Sequence, residues 1–364
     1  MSDNQSKKLV EEILALSDLV GVSSNEQRIS KHIISRLKVK NYVAETDNLG
    51  NLMYVPKNES NVNRRVLVFA HMDEIGFIVR KIENNGFIRF ERLGGVNTQI
   101  LPGTKVIFDV SDDKLVNGVI GVQSHHFMPV ENKFAIPKIT DMYMDIGAKS
   151  KSEVETIGIN VGTLVALNQK AELLNKHYIC GKTLDNRAAI AIIEQMIEKI
   201  DSLSLNYSII FCFPVMEEFN IRGLLPVYRK YKPDIAVGID VTPSCDTPDL
   251  NYNDIALDKG PAVCVMNFHG GGTLAGVIPD RKLLNSICKY ADKNKIEYQR
   301  EVSPGIITEN AFGLFENTEG IRVLNLSIPT RYTHTPIEMM SISDIGEMYE
   351  LLNGLLLSVI PEII

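Results

Sequence analysis

The chain has no tryptophan, only five cysteines in 364 residues, and no uncharged apolar run approaching the length of a membrane helix. Cys180, Cys212, Cys245, Cys264 and Cys288 form no CxxC pair, which excludes the common zinc-ribbon and dithiol redox motifs. Scattered and odd in number, they read as buried thiols of a protein kept in a reducing compartment. The opening MSDNQSKKLVEE lacks the apolar core of a secretory leader, so the expected location is the cytoplasm, without a membrane partner. Basic residues are also in deficit: 38 Lys and Arg against 45 Asp and Glu give a net charge of −7, which argues against a nucleic-acid partner. No repeat or low-complexity tract stands out.

What is present is an ordinary globular composition, 45% hydrophobic, long enough for two domains or for one core with an insertion. Leu9, Val10, Ile13 and Leu14 predict a first helix. Ser24 with Gln27 has the spacing of a capping box ahead of a second helix carrying Ile29, Ile33 and Leu37. Val66–Ala70 reads as a buried parallel strand. From 82 to 176 helical periodicity nearly vanishes. Short β-like runs replace it, with a hairpin turn at Asn85-Gly86 and one short helix opened by Ser152 with Glu155. After 176 strands and helices alternate again. The expected fold is therefore α/β, a central mixed sheet flanked by helices formed by residues 1–81 and 177–364, with a small β domain, 82–176, inserted into it.

In such a sheet, ligands lie beyond the carboxyl ends of the strands. The run Val66–Ala70 leads into His71-Met72-Asp73, and Tyr178–Cys180 leads to Asp185. Ser208–Val215 leads to Glu217-Glu218, Ile235–Ile239 to Asp240, and Val323–Ile328 to His334. Asp185 alone would be a helix cap, and Asp240 alone a turn residue. Five coincident strand ends point instead to a pair of divalent ions. Imidazole and carboxylate donors favour zinc, cobalt, manganese or iron over calcium. Asp73, two residues from His71, is expected to accept the ring N–H of that histidine.

His71-Met-Asp-Glu-Ile-Gly, Gly181-Lys-Thr-Leu-Asp-Asn-Arg187, Glu217-Glu218 with Arg222-Gly223, Asp240-Val-Thr and Pro329-Thr-Arg-Tyr-Thr-His334 resemble the glutamyl/tetrahedral aminopeptidase family, cocatalytic-metal peptidases of which some bear the label endoglucanase. The similarity spans nearly the whole chain. It implies two metal ions, zinc or cobalt first and manganese next, with His71 and Asp240 as ligands of one. Asp185 would bridge, and Glu218 and His334 would complete the other. Glu217 would be the general base acting on a bridging water, with Asp73 beside it among the catalytic residues. The resemblance also implies a cis Asp185–Asn186 peptide, a PDZ-like inserted domain, short peptides as substrates, and a homo-oligomer, in the family a hollow dodecamer.

The chain departs from the family at Met216, Phe219 and Asn220, where Asn220 replaces a glycine, and at Ile307-Thr308-Glu309-Asn310-Ala311, near the substrate in relatives. Two alternatives stay open. One is an amidase or deacylase using the same metals, and the other is a non-catalytic paralogue with an altered 303–311 segment. Outside the motifs, His125-His126 read as exposed loop residues or as contacts to a neighbouring subunit, and His32 as surface. Arg331 and Tyr332 read either as substrate contacts or as packing.

Overall fold

The computed structural model describes all residues except 58–62, 131–132, 134, 270–275, 306–307, 309 and 314–318. A 12-stranded mixed sheet forms the frame. Its four central strands, Ser208–Phe213, Arg65–Phe69, Ile235–Pro243 and Arg322–Arg331, run parallel. Antiparallel strands extend it at both edges. The central strands are buried on both faces, and Ser208–Phe213 has no exposed residue, which is why they read as unbroken apolar runs.

Helix Leu184–Ile200 lies against one face. Its residues from Leu184 to Ile197 are all buried, because the helix is covered in turn by Asp3–Asp18 and Ile342–Gly354. Each of its buried isoleucines contributes about 1.5–3 kcal/mol by leaving water. The opposite face carries Leu67, Phe69 and Ile210 against Val227 and Tyr228 of the helix Leu225–Tyr231.

The insertion closes into a six-stranded barrel, from the strand Gly76–Ile82 to the strand Leu164–Leu167. Its own core holds Phe77, Phe90 and Phe108, with the first two rings edge-on at 5.1 Å. These limits differ from the expected 82 and 176. Gly76–Ile82 follows the His71 segment almost at once, and Glu172–Leu174 already pairs with Tyr178–Gly181 in the large sheet. An Arg28–Asp109 ion pair, reinforced by Asn25 donating to Asp109 at 2.8 Å, ties the barrel to the second helix.

Two caps differ from expectation. Helix Gln27–Arg36 begins after Glu26, and Ser24 sits at φ 77°, so no capping box forms. The reason is that Glu26 turns its carboxylate to the Ser24 and Met216 N–H groups, at 2.8 and 3.1 Å. The barrel helix is opened by Ser150, which accepts the Glu153 N–H, rather than by Ser152 with Glu155. Among the described residues no helix is long and apolar enough to cross a membrane.

Candidate metal centre at the strand ends

Strand register brings the site together. Phe69 lies opposite Gly238 on one side and Cys212 on the other, so His71 comes level with Asp240 just past the end of its own strand. Asp185 arrives from a kinked helix start, with φ −78°, ψ 100° and a cis peptide to Asn186. His334 arrives from the turn after Arg322–Arg331, at φ 62°.

Asp185 is the centre of the arrangement. Its Oδ1 is 3.1 Å from Nε2 of His71, and its Oδ2 is 3.3 Å from Nε2 of His334. His71 also faces Asp240 at 3.8 Å, and His334 faces Glu218 at 3.3 Å. Donor atoms of His71, Asp185 and Asp240 lie within 4.8 Å of one another, as do those of Asp185, Glu218 and His334, and of His71, Glu217 and Glu218. Six of the residues singled out in the sequence, His71, Asp185, Glu217, Glu218, Asp240 and His334, thus stand at one place.

The electrostatics fit a site made for cations. Burial pushes the Asp240 carboxyl up to about 7, aided by the neighbouring Asp185 charge. Burial also raises Glu218, against the pull of His334. The same burial works against charge on Asp185, yet His334 and His71 overcome it and hold that carboxyl below the usual range. Both imidazoles are held above their ordinary value, His334 up to about 12, because facing carboxylates outweigh their burial. The facing carboxylates thus favour positive charge on the imidazoles, a charge that bound divalent ions would supply in its place. Imidazole nitrogens and carboxylate oxygens in two groups sharing one carboxylate suit two such ions.

Asp73 differs in detail from expectation. Nδ1 of His71 is 3.1 Å from the Asp73 backbone carbonyl and 3.5 Å from its carboxylate. Beyond the strand end the alternation of side chains no longer applies, and the carboxylate turns elsewhere. It accepts the N–H of Glu217 at 2.9 Å, the N–H of Glu218 at 3.0 Å and the hydroxyl of Ser23 at 2.6 Å. With Glu26 holding the Met216 N–H, three successive amides of this turn are fixed by two buried carboxylates. Met216 and Asn220 take the left-handed angles 56° and 65°, so Asn220 adopts the glycine-like backbone its position demands. Because the chain turns here rather than continuing a strand, Glu217 and Glu218 both reach the same histidine.

Several contributors were not anticipated. Glu338 accepts the N–H groups of Asp185 and His334 at 3.0 and 2.8 Å. Glu74, paired with Lys182 at 2.7 Å, accepts the Gly21 N–H beneath Asp73. The barrel also takes part: the Gly95 carbonyl lies 3.2 Å from Nδ1 of His334. A Cβ at Gly95 would sit 2.8 Å from that nitrogen, and one at Gly94 3.2 Å from the Glu218 carboxylate, so two glycines permit the approach. That adjacent pair was the available signal.

Other expectations divide. Arg331 is committed to Asp246, through Nε at 2.8 Å and Nη2 at 2.6 Å, while Tyr332 is exposed at the site's rim. His125 and His126 are exposed on the barrel. His32 is not simple surface: its Nε2 is 2.7 Å from Glu12, contributed by another helix. In the altered segment, Thr308 and Asn310 are buried and bonded to Asn325, so these two point into the core. Ile307 and Glu309 lie outside the described residues.

Carboxylates and imidazoles gathered from five strand ends around one shared aspartate define a hydrolase site of the metallopeptidase kind. The M42 glutamyl aminopeptidase model matches residues 50–351, and the chain belongs to that family. Over 346 residues it is 38% identical to SgcX of Escherichia coli (strain K12), a provisionally assigned aminopeptidase, covering 95% of this chain and 92% of that one. Aminopeptidase APDkam598 from the archaeon Desulfurococcus kamchatkensis superposes with a TM-score of 0.86 at 27% identity, covering 95% and 94% of the two chains. The Pyrococcus horikoshii TET1 peptidase, described as assembling into a tetrahedron or a large octahedral shell, gives 0.82 at 27% identity over 95% and 98%. The protein is thus a hydrolase of an aminopeptidase family whose members are metal-dependent.

Proposed function

We propose that the chain is a dinuclear-metal aminopeptidase that removes N-terminal residues from short peptides. One observation carries this reading: the two carboxylate oxygens of Asp185 face two different histidines, each backed by its own further carboxylate. His71, Asp185 and Asp240 would hold one ion, and Asp185, Glu218 and His334 the other, with zinc or cobalt preferred and manganese next. Such ions supply Lewis acidity toward a peptide carbonyl and acidify water.

The protein's own contribution is to place and protonate. Glu217 is assigned as general base, taking the proton of the attacking water and passing it to the leaving amine. Asp73 holds the backbone of Glu217 and Glu218, fixing the angle from which the base acts. We assign the barrel, read as PDZ-like, to subunit assembly. The tetrahedral shell of the TET1 relative supports a homo-oligomer, and a dodecamer is the form we propose. Five thiols without a disulfide among them fit a cytoplasmic setting.

Protein purified without chelator should carry about two ions per chain. Glu217→Gln should keep both yet lose on the order of 10²–10⁴-fold in aminoacyl-anilide turnover. Full activity in that variant would remove Glu217 from its role. Turnover confined to acyl-amino acids would move the reaction to the amidases.

A further inference from the structure

The short strand Glu338–Ser341 lies between two others. It pairs with Tyr178–Gly181, placing Glu338 opposite Gly181, and with the end of Arg322–Arg331. The chain leaves one neighbour toward Asp185 and the other toward His334. Glu338 is 2% exposed, and it gives one carboxylate oxygen to each segment: Oε2 accepts the Asp185 N–H at 3.0 Å, and Oε1 the His334 N–H at 2.8 Å. Neither amide belongs to a regular stretch. Asp185 sits in the non-helical kink, and His334 has a left-handed backbone, so both need an acceptor from outside.

We propose that Glu338 is a positioning residue for the Asp185–His334 half of the centre. It holds the backbones of the bridging aspartate and the terminal histidine so that the ion shared with Glu218 meets ligands already in place. The inference rests on the two-metal reading. It complements the Asp73 clamp on Glu217 and Glu218: one buried carboxylate fixes one pair of site residues, and a second fixes another pair. Glutamine in its place keeps the volume but offers a single oxygen. Its NH₂ group would then face a backbone N–H, two donors without an acceptor.

The fold contains a matched control. Asp344, 1% exposed, accepts the N–H groups of Asp258 and Gly260 at 2.9 and 2.8 Å, neither of them a residue of the centre. Asp344→Asn disturbs an equivalent double acceptor that touches no ligand of the centre.

The test is a stepwise cobalt(II) titration of the full-length apo-protein against a chromophoric chelator, followed by the visible absorption of each site. Wild type should take two ions. Glu338→Gln should bind the second about 10–100-fold more weakly, the first far less changed, and should regain most turnover at saturating metal. Asp344→Asn should lower the unfolding midpoint and leave both affinities alone. Unchanged affinities in Glu338→Gln, or an equal loss in Asp344→Asn, would overturn the proposal. Fewer than two ions in wild type would sink the two-metal reading, and this inference with it. Should Glu338→Gln fail to fold, amide hydrogen exchange on wild-type apo-protein decides: the Asp185 and His334 amides should be protected, and exchange at exposed-loop rates would refute the clamp.

Discussion

One segment, Leu184–Ile200, carries two buried acidic clusters of opposite character. At its start, Asp185 meets His71 and His334, with Asp240 and Glu218 behind them. Further along, Glu194 lies beside Glu12, and these acids face Arg36, whose Nε is 2.7 Å from Glu12 and 3.8 Å from Glu194, with His32 at 2.7 Å from Glu12. The acids of both clusters are largely buried, and both clusters contain histidine. The second has a guanidinium of its own. In the first, the partners of the acids are imidazoles, and two triads share a carboxylate. Among the described residues, the three groups of donor atoms close enough to share an ion all belong to the first. Buried acidity alone therefore does not mark a metal site. What distinguishes the first cluster is the absence of a guanidinium and the sharing of one carboxylate between two triads, the features on which the metal proposal rests.

The contrast can be broken by crossing effects over. Asp185→Asn would remove the ligand that the two-metal proposal shares between both ions. Loss of both ions and at least about a thousandfold loss of turnover are expected, from several kcal/mol of Lewis-acid stabilisation. The apo-protein's urea midpoint should move little. A variant that lost stability but kept its ions would erase the distinction. Arg36→Met should do the reverse. Removing a buried ion-pair partner costs about 3–5 kcal/mol, reduced here to about 1–3 because Arg36 is one-third exposed. Denaturant unfolding should register that cost while activity per folded molecule stays the same.

The smallest effect is one of pH. Burial, then the Glu12 charge, raises Glu194 well above 4.5. The folded state therefore holds a proton that the unfolded chain has released. Stability from this group is complete below about 4.5 and falls as pH rises through the folded value, at no more than about 1.4 kcal/mol per pH unit. Glu194→Gln should flatten that decline relative to wild type in urea midpoints measured from pH 5 to 9. An identical slope in the two proteins would show that Glu194 is charged when folded.

The legible part of the site was the part written along single strands. An apolar run that stops at His, Asp or Glu shows its own end, so His71, Asp185, Glu217, Glu218, Asp240 and His334 could be found without knowing which strands pair. Glu338 was hidden for the opposite reason. It opens the strand EMMS, and its meaning depends on antiparallel pairing with two strands at once, one of them, Tyr178–Gly181, far away in sequence. His32 misled in the same way, since Glu12 reaches it from another helix, and Ser24 misled because Glu26, held by the distant Met216 N–H, takes the Ser24 amide instead. The α/β frame was readable because its parallel strands are apolar throughout. The barrel's first strand was not, because Gly76–Ile82 follows the His71 segment almost at once and its apolar run is broken by Arg80 and Lys81.

The Gly95 carbonyl beside His334 bears on how freely the barrel could be exchanged. An inserted module joined only by its two ends could be swapped for any other of similar span. This one lends a backbone oxygen to a histidine of its host and brings it there across a pair of residues without side chains. A grafted replacement that preserved both junctions would still leave that imidazole nitrogen facing the wrong atom. On this geometry the insert and the site it leans upon are one unit of construction.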